Sequence, residues 1–146
     1  MIGNILPPIV DGQTKVLIVG SMPGVQSLEK QQYYGNPRNH FWGIIGELTG
    51  AIVPEQYEER LALVKKHGIG LWDVIRECER VGSLDSNIKN EIPNNFVALF
   101  EQYPQIEAIF FNGTKAHDVF KKKLGFEVLA ERDYYNCCSE FHNFCS

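Results

Sequence analysis

The fold is decided by the stretch Val16-Leu17-Ile18-Val19-Gly20-Ser21-Met22-Pro23-Gly24. Its first four residues are apolar and mostly β-branched, which is typical of a strand covered on both faces in a parallel sheet. The small residues from Gly20 to Gly24 then end the strand. Because ligands of open α/β folds bind beyond the carboxyl ends of the strands, this loop is predicted to bring its backbone N–H groups close to a substrate.

The next stretch, from Tyr33 to Trp42, gathers amide, cationic and aromatic side chains, which is the composition of a binding site. Apolar residues between Phe41 and Leu48 recur at helical spacing, which predicts an amphipathic helix that ends at Gly50. Asn39 stands where this helix should begin. Its side chain could therefore act only as an N-cap, accepting a hydrogen bond from an unpaired backbone N–H of the first turn.

Strands alternate with helices along the rest of the chain. Further buried strands are predicted at residues 69–75 and 106–111, and helices are predicted from Pro54 to Gly68, after Pro93-Asn94, and at residues 115–123. This alternation predicts an α/β domain with a parallel sheet, helices on both faces and right-handed crossovers. Residues 126–129 could add another strand, whereas the polar segment 83–90 is predicted to be irregular.

Length and composition predict one globular domain over residues 1–146. Apolar residues make up 44% of the chain and charged residues 22%, and the net charge of −4 argues against a large non-specific DNA-binding surface. A few cations could still contact phosphates. No segment has the pattern of a secretory signal or a membrane span, and the four cysteines form no CxxC pair. We therefore expect a cytoplasmic protein with reduced thiols and no metal site.

Three motifs resemble, in the same order, those of the uracil-DNA glycosylase superfamily, and most closely those of its hypoxanthine (deoxyinosine) DNA glycosylase branch. The first is Gly20-x-x-Pro23-Gly24 followed by Asn36-Pro37-Arg38-Asn39-x-Phe41-Trp42. Residues 68–75 are similar to the strand that ends in a base-recognising amide. Residues 109–116 are similar to the later strand–Gly–helix segment. The resemblance covers roughly residues 14 to 125.

This resemblance implies a three-layer α/β/α sandwich around a four-stranded parallel sheet. It also implies a monomeric enzyme that hydrolyses the bond between a deaminated base and deoxyribose in DNA, after rotating the nucleotide into a pocket. Hypoxanthine is the expected base and uracil is the alternative. Hydrogen-bond donors would be needed where negative charge develops on the departing base. The resemblance implies that no metal or cofactor is required.

The resemblance assigns the catalytic position to Asn39. In related branches the third position of the first loop carries an acid or amide that orients the attacking water, but here that position is Met22, which can do neither. The Asn39 amide can accept a hydrogen bond from water and donate another. It is too weak a base to deprotonate water, so its expected role is positioning, and it could cap the helix as well.

The expected base-binding residues come from three places in the chain, and they are Gly20, Ser21, Met22, Pro23, Gly24, Phe41, Asp73 and Asn112. Phe41 would stack on the flipped base, although its place on the apolar stripe equally predicts buried packing. Asp73 would accept from N1–H of hypoxanthine while a loop N–H meets O6, or it could merely cap the next turn. Asn112 could bind the base or tie loops together.

Contacts with the DNA backbone are expected from Arg38, His40 and Lys115. The first two lie inside the first motif, and Lys115 follows the third predicted strand. The run of lysines at 121–123 is better interpreted as a solvated helix end that faces the negative end of the helix dipole.

The final stretch, Asn136 to Ser146, is atypical because it lacks the Ser/Pro-rich loop with which the superfamily holds the flipped nucleotide. We hypothesise a frameshift near Tyr135 that replaced this loop and truncated the chain; a clean reading frame in the encoding DNA would contradict it. The loss leaves two alternatives to an active enzyme. One is a catalytically impaired domain that still binds nucleic acid, and the other is an unrelated α/β enzyme for small molecules.

Overall fold

The computed structural model describes residues 2–3 and 6–136. In chain order, the strands are β1 (Ile2–Gly3), β2 (Val16–Gly20), β3 (Ile69–Asp73), β4 (Ile75–Glu79), β5 (Lys89–Pro93), β6 (Ala108–Phe111) and β7 (Asp133–Tyr135). The helices are α1 (Val25–Lys30), α2 (Phe41–Thr49), α3 (Tyr57–Lys66), α4 (Phe96–Gln102) and α5 (Thr114–Lys123). Two short 3-10 turns lie at Asp85–Asn87 and Phe126–Leu129.

A four-stranded parallel sheet forms the centre of the domain, with the spatial order β3-β2-β6-β7. Every residue of β2, β3 and β6 is buried, as their apolar sequences predict. The strand order places β2 between β3 and β6, so the loop after β2 lies at the middle of the carboxyl edge. The predicted three-layer α/β/α sandwich around a four-stranded parallel sheet is confirmed.

A second, antiparallel sheet of order β1-β4-β5 was not predicted. The apolar run 69–75 is not one strand, because the chain leaves the parallel sheet after Asp73. There the N–H groups of Val74 and Ile75 donate to the carbonyl oxygens of Gly20 and Ser21, at 2.8 and 3.0 Å. β4 buries Ile75 and Cys78 and exposes Arg76 and Glu79, so its sheet is covered on one side only. Register shifts in its pairing with β5 break the strict alternation of a regular strand.

Other differences concern where elements begin. The helix predicted from Pro54 begins at Tyr57, and the N-cap of α4 is Asn95, whose Oδ1 accepts from the Ala98 N–H at 3.1 Å. Residues 126–129 form a 3-10 turn and not a strand. The chain uses this turn to come back from α5 to the open edge of β6, where Asp133–Tyr135 becomes the fourth parallel strand. No helix within residues 2–3 and 6–136 is long and apolar enough to cross a membrane.

Candidate active site

The ends of three parallel strands bring predicted site residues together. Gly20 and Asp73 are register partners at the ends of β2 and β3. Asn112 follows β6, and its N–H donates to the Val19 carbonyl at 2.8 Å. A cavity of about 450 Å³ opens at this edge, a size within the range of small-molecule sites in proteins.

Most of the predicted site residues line this cavity, and they are Gly20, Ser21, Met22, Pro23, Gly24, Asn39, Asp73 and Asn112. The three residues expected at the DNA backbone lie outside it, and so does Phe41. The strand–loop–helix pattern of the sequence therefore predicted where the cavity lies. It did not decide which aromatic ring faces the cavity.

The ring at the cavity belongs to Tyr34 and not to Phe41. Phe41 is only 3% exposed, and Tyr34 stacks on it with ring centroids 3.7 Å apart and an interplanar angle of 14°. Tyr34 lines the cavity. As placed here, Phe41 supports Tyr34 from behind, because its position on the apolar stripe of α2 directs it into the core.

Tyr34 adopts a backbone conformation that side-chain-bearing residues rarely adopt, with a φ of 54°. Such a conformation costs about 1–3 kcal/mol and persists only where surrounding contacts impose it. Here those contacts include the stack on Phe41 and a hydrogen bond of 3.1 Å that the Asn112 Nδ2 donates to the Tyr34 hydroxyl. The strained conformation fixes an aromatic face at the cavity.

Asn39 combines a structural contact with a position in the cavity wall. Its Oδ1 accepts a hydrogen bond from the Phe41 N–H at 2.8 Å, the first N–H of α2. The N-cap position itself is His40, so the interpretation of Asn39 as the N-cap is wrong by one residue, although the side chain does satisfy an unpaired N–H at the start of the helix. The residue is exposed and lines the cavity. A carbonyl oxygen has two acceptor sites and the amide nitrogen two donors, so this contact leaves the side chain able to bind a water.

Asp73 brings a carboxylate close to the end of β2. The side chain is buried, with the residue 4% exposed, and its backbone carbonyl accepts from the Asn94 Nδ2 at 2.8 Å. A Cβ placed on Gly20 would lie 2.6 Å from Asp73 Oδ1 and 3.3 Å from the Tyr34 hydroxyl oxygen. The polar atoms of Asp73, Tyr34 and Asn112 thus converge on one side of the cavity.

We expect Gly20→Ala to displace the Asp73 carboxylate, since a methyl group cannot lie 2.6 Å from an oxygen. Excision of a damaged base, the activity that the resemblance implies, should fall by about 100-fold, the effect that misplacement by roughly 1 Å produces in an active site. Single-turnover rates measure it. Gly43→Ala is the control because nothing lies within 4 Å of its added Cβ. Equal rates for both variants would contradict a functional Asp73.

One wall of the cavity comes from a segment that sequence reasoning missed. Asp85 Oδ1 accepts from the Ser21 hydroxyl at 2.7 Å, and Ser83 Oγ accepts from the Val25 N–H at 2.8 Å. Both Ser83 and Asp85 line the cavity. The segment was predicted to be irregular, and no periodic pattern could have revealed contacts with residues about sixty positions earlier.

Arg80 supports the loop after β2, Gly20 to Gly24, from the protein interior. It is 7% exposed, and its Nη2 donates to the Pro23 carbonyl at 2.8 Å, while Nε and Nη1 have no partner in the described part of the chain. The Pro23 carbonyl and the Gly24 N–H share one peptide unit. The guanidinium therefore polarises a peptide at the cavity.

The cations predicted to contact DNA lie in different surroundings. Arg38 and His40 are exposed on either side of Asn39. Lys115 pairs with Glu91, with Nζ and Oε1 3.6 Å apart. Burial opposes ionisation of Glu91, but a backbone hydrogen bond and the charge of Lys115 lower its pKa. Among the described residues, Arg38 and His40 form no such ion pair, whereas Lys115 would have to leave Glu91 to reach a phosphate.

Tyr33 forms the inner wall of the cavity and should make folding sensitive to alkali. Burial, followed by the charge of Asp73, raises its pKa well above the ordinary value of 10.0. Its hydroxyl donates to the Pro7 carbonyl at 2.6 Å. Above about pH 10 the unfolded tyrosine loses its proton while the folded one keeps it, so the unfolded state binds fewer protons and stability falls as pH rises.

The expected result is a free energy of unfolding that is steady below about pH 9 and declines above pH 10, with a smaller decline in Tyr33→Phe. Urea unfolding at several pH values measures it. Tyr134→Phe is the matched control, because Tyr134 is 45% exposed. If the unfolding free energy of Tyr33→Phe declined as steeply with pH as that of the parent, Tyr33 would not be the source of the alkaline sensitivity.

Within residues 2–3 and 6–136, no group of three or more His, Cys, Asp and Glu side chains could hold a metal ion. The cysteines at 137, 138 and 145, and the hypothesis of a frameshift that replaced the closing loop, fall beyond the described residues.

Comparisons with known proteins identify the family of this chain. The family model of the uracil DNA glycosylase superfamily matches residues 7–140. A hypoxanthine DNA glycosylase from Methanosarcina acetivorans is 42% identical over 88% of this chain and 83% of its own length. One from Methanosarcina barkeri is 39% identical over 84% of this chain and 79% of its own.

A solved structure has a similar fold. The solution NMR structure of a candidate uracil DNA glycosylase from Methanosarcina acetivorans superposes with a TM-score of 0.80 at 38% identity, covering 95% of this chain and 85% of that one. The residues that match the family model include the four parallel strands, the loop after β2 and the residues that line the cavity. The chain belongs to the uracil DNA glycosylase superfamily.

Proposed function

We propose that this protein is a DNA glycosylase that removes hypoxanthine from DNA by hydrolysing its bond to deoxyribose. The observation that carries the proposal is the cavity at the carboxyl edge of the sheet. Asn39, Tyr34, Asp73 and the loop Gly20 to Gly24 all line it. The identity of 42% to a hypoxanthine DNA glycosylase supports the choice of base. A base stacked inside duplex DNA can reach such a cavity only if its nucleotide rotates out of the stack.

Recognition of the base would use the two sides of the cavity. Tyr34 offers an aromatic face for stacking, which any purine can use. Asp73 offers a carboxylate that accepts from N1–H of hypoxanthine. Asn112 lies on the same side of the cavity, where its Nδ2 donates to the Tyr34 hydroxyl. Adenine carries no hydrogen on N1, so a carboxylate at this position would repel the undamaged base.

Departure of the base would be assisted by the loop after β2. As the C1′–N9 bond breaks, its electron pair moves to the purine and the sugar becomes oxocarbenium-like. Arg80 holds the Pro23 carbonyl from behind and provides a buried positive charge near the developing base anion. Preorganised electrostatic stabilisation of this kind usually contributes more to catalysis than any other effect.

Attack by water would depend on Asn39. Its amide can hold a water that adds to C1′ once the oxocarbenium-like centre forms, and the proton of that water passes to solvent. Because the cation is strongly electrophilic, the water needs placement more than deprotonation. An exposed residue at the mouth of the cavity suits a group that meets the sugar and not the base.

The partner in this proposal is DNA that contains a deaminated base, approached through the exposed Arg38 and His40. We propose that the enzyme acts as a monomer and in the cytoplasm. Cys78, a buried free thiol whose pKa is raised by burial, suits a compartment in which thiols stay reduced.

The test uses labelled duplexes that carry one hypoxanthine, one uracil or neither, incubated with the protein and then treated with hot alkali to cleave abasic sites. Strand breaks are expected at hypoxanthine, with slower or no cleavage at uracil and none in the undamaged duplex. Folded protein that leaves all three duplexes intact while still retarding them in a gel would favour the impaired binding domain. Faster cleavage at uracil would overturn the choice of base.

A further inference from the structure

A second cavity, of about 470 Å³, adjoins the candidate active site. The two cavities share three lining residues, Tyr34, Asn36 and Asn39, so the segment from Tyr34 to Asn39 forms the wall between them. The reaction proposed above makes no use of the second cavity. Because Asn39 is assigned to the water that attacks the sugar, a group held in the second cavity would lie beside that sugar and not beside the base.

Two cations line the second cavity, and a backbone carbonyl holds each of them in place. Arg60 Nε donates to the Pro54 carbonyl at 2.7 Å. Lys30 Nζ donates to the Gly35 carbonyl at 2.9 Å. As far as the structure describes the chain, neither cation forms an ion pair with an acidic side chain. Glu55 also lines the cavity, but it is exposed and water screens its charge, so the cavity favours an anion.

Trp42 adds a buried hydrogen-bond donor to the lining of this cavity. The residue is 5% exposed, and its Nε1 has no hydrogen-bond partner in the residues that the structure describes. Buried polar groups nearly always have a partner, so an orphaned N–H in the lining of a cavity points to an acceptor that binds there. The Arg60 guanidinium lies over the Trp42 ring, 5.6 Å from its centroid, which keeps the cation at the indole.

A phosphodiester of DNA matches these groups. Its two free oxygens accept hydrogen bonds and carry a negative charge, while Arg60, Lys30 and Trp42 offer only donors. Since Nε of Arg60 contacts Pro54, the guanidinium would meet the phosphate through its two Nη groups. The phosphates on either side of a flipped nucleotide are attached to the sugar that Asn39 meets. They are therefore the anions that come closest to the second cavity when the base occupies the first.

We propose that the second cavity binds one backbone phosphate beside the flipped nucleotide, through Arg60, Lys30 and Trp42. This inference rests on the proposed function and adds the part of the DNA that fixes the sugar. The site is separate from the exposed cations of the first motif and from the Ser/Pro-rich loop with which the superfamily holds the flipped nucleotide. Because the two cavities share a wall, a phosphate bound in one places C1′ against the water held by Asn39 in the other.

Replacement of single phosphates tests the site. Each phosphate near the hypoxanthine is replaced in turn by an uncharged methylphosphonate, in a duplex whose damaged nucleotide carries a 2′-fluoro group that resists cleavage. One position is expected to weaken binding to the parent protein by about 10-fold, as loss of a charge-assisted hydrogen bond does. Arg60→Gln should itself bind about 10-fold more weakly, and the same replacement should then cost less than about twofold. Fluorescence anisotropy measures all four affinities.

The dependence of affinity on salt gives a second readout. Each phosphate that a protein neutralises releases counterions, so the slope of log affinity against log salt concentration should become shallower by about 1 in Arg60→Gln. Arg60→Lys changes the contact with Pro54 as Arg60→Gln does, but it keeps the charge. It should therefore retain the salt slope of the parent and its sensitivity to the replaced phosphate. An Arg60→Lys variant that behaves like Arg60→Gln would assign Arg60 a structural role and overturn the site.

Lys66→Gln is the matched control for loss of a charge. Lys66 is exposed at the end of α3, the helix that contains Arg60, and it lines neither cavity. The end of α3 leads into the start of β3, so Lys66 lies toward the amino edge of the sheet and away from both cavities. Its affinity and salt slope should stay close to those of the parent. Losses in Arg60→Gln that simply add to the loss from every methylphosphonate would overturn the phosphate site.

Further outcomes separate this site from the proposed function and from another source of phosphate. Coupling of Arg60 to one DNA phosphate in a protein that excises nothing would support the site and contradict the proposed function. Excision of hypoxanthine without such coupling would overturn the site alone. Inorganic phosphate is titrated into the DNA-free protein by calorimetry. Micromolar binding that Arg60→Gln abolishes, without coupling to any DNA phosphate, would assign the cavity to a free phosphate and overturn the proposal.

Discussion

Asn39→Ala is expected to lower the single-turnover rate of hypoxanthine excision by about 100- to 1,000-fold, the loss that follows removal of one positioned hydrogen-bonding group from an active site. The variant should also lose about 1 kcal/mol of stability, because Asn39 Oδ1 accepts from the Phe41 N–H at 2.8 Å. Binding of the damaged duplex should change little, since the amide is assigned to the water and not to the base.

The two roles of Asn39 can be separated by a second substitution. Asn39→Asp retains an oxygen that caps the Phe41 N–H but has no amide donor, so it should melt close to the parent temperature and still excise slowly. Excision should be measured by alkali cleavage under single-turnover conditions and stability by thermal unfolding. If Asn39→Asp were as fast as the parent, the amide nitrogen would have no part in the reaction.

A matched control for capping comes from another helix. Asn95 Oδ1 accepts from the Ala98 N–H at 3.1 Å at the start of α4, and Asn95 does not line the cavity. Asn95→Ala should lose about the same 1 kcal/mol and keep its excision rate. A rate for Asn39→Ala that falls only as far as that of Asn95→Ala would leave Asn39 with only its structural contact at the start of α2.

The parallel sheet could be predicted because its strands carry their own signal. The runs in β2 and β6 are continuously apolar, and burial on both faces is the environment that such runs require. β7 carries no such signal, since Asp133 to Tyr135 is short and mostly exposed. It is a strand only because the edge of β6 offers unpaired backbone groups.

The antiparallel sheet was missed for a different reason. The apolar run 69–75 continues across the end of β3, and nothing within it marks the turn at Val74. That turn is imposed from outside, by the carbonyl oxygens of Gly20 and Ser21. β5 begins with three polar residues and none of its residues is buried, so no pattern distinguished it from a loop.

In the candidate site, too, some contacts could be predicted from local sequence patterns and others could not. Gly20 to Gly24, Asn39 and Asp73 follow strands or begin a helix, and strand ends of a parallel sheet meet at one edge, so their proximity follows from topology. Arg80 reaches Pro23 across 57 positions of sequence, and Asp85 reaches Ser21 across 64. These contacts depend on how the second sheet folds over the first loop, which no local pattern encodes.

Tyr34→Ala is expected to lower kcat/KM for hypoxanthine excision by about 10- to 100-fold, because stacking of a base on an aromatic ring is worth about 1–3 kcal/mol. Tyr34→Phe should stay within about threefold of the parent, since it keeps the ring and loses only the hydroxyl that accepts from Asn112. Steady-state kinetics on a single-stranded substrate isolate this step from duplex opening.

Phe41 makes this prediction a test between two rings. If the base instead stacked on Phe41, Tyr34 would have to move away, and its removal would expose the Phe41 face that it covers at 3.7 Å. Tyr34→Ala would then excise as fast as the parent or faster. Phe41→Leu would lose most activity with only the modest loss of stability expected for a buried substitution of similar size.

The backbone of Tyr34 supplies an independent readout. With φ at 54°, Tyr34→Gly relieves strain that Tyr34→Ala retains, so the glycine variant should be the more stable of the two by about 1 kcal/mol. Both lack the ring and should be equally slow if stacking is the role of Tyr34. A glycine variant that is stable but slow would show that the protein tolerates a strained backbone in order to hold an aromatic face against the base.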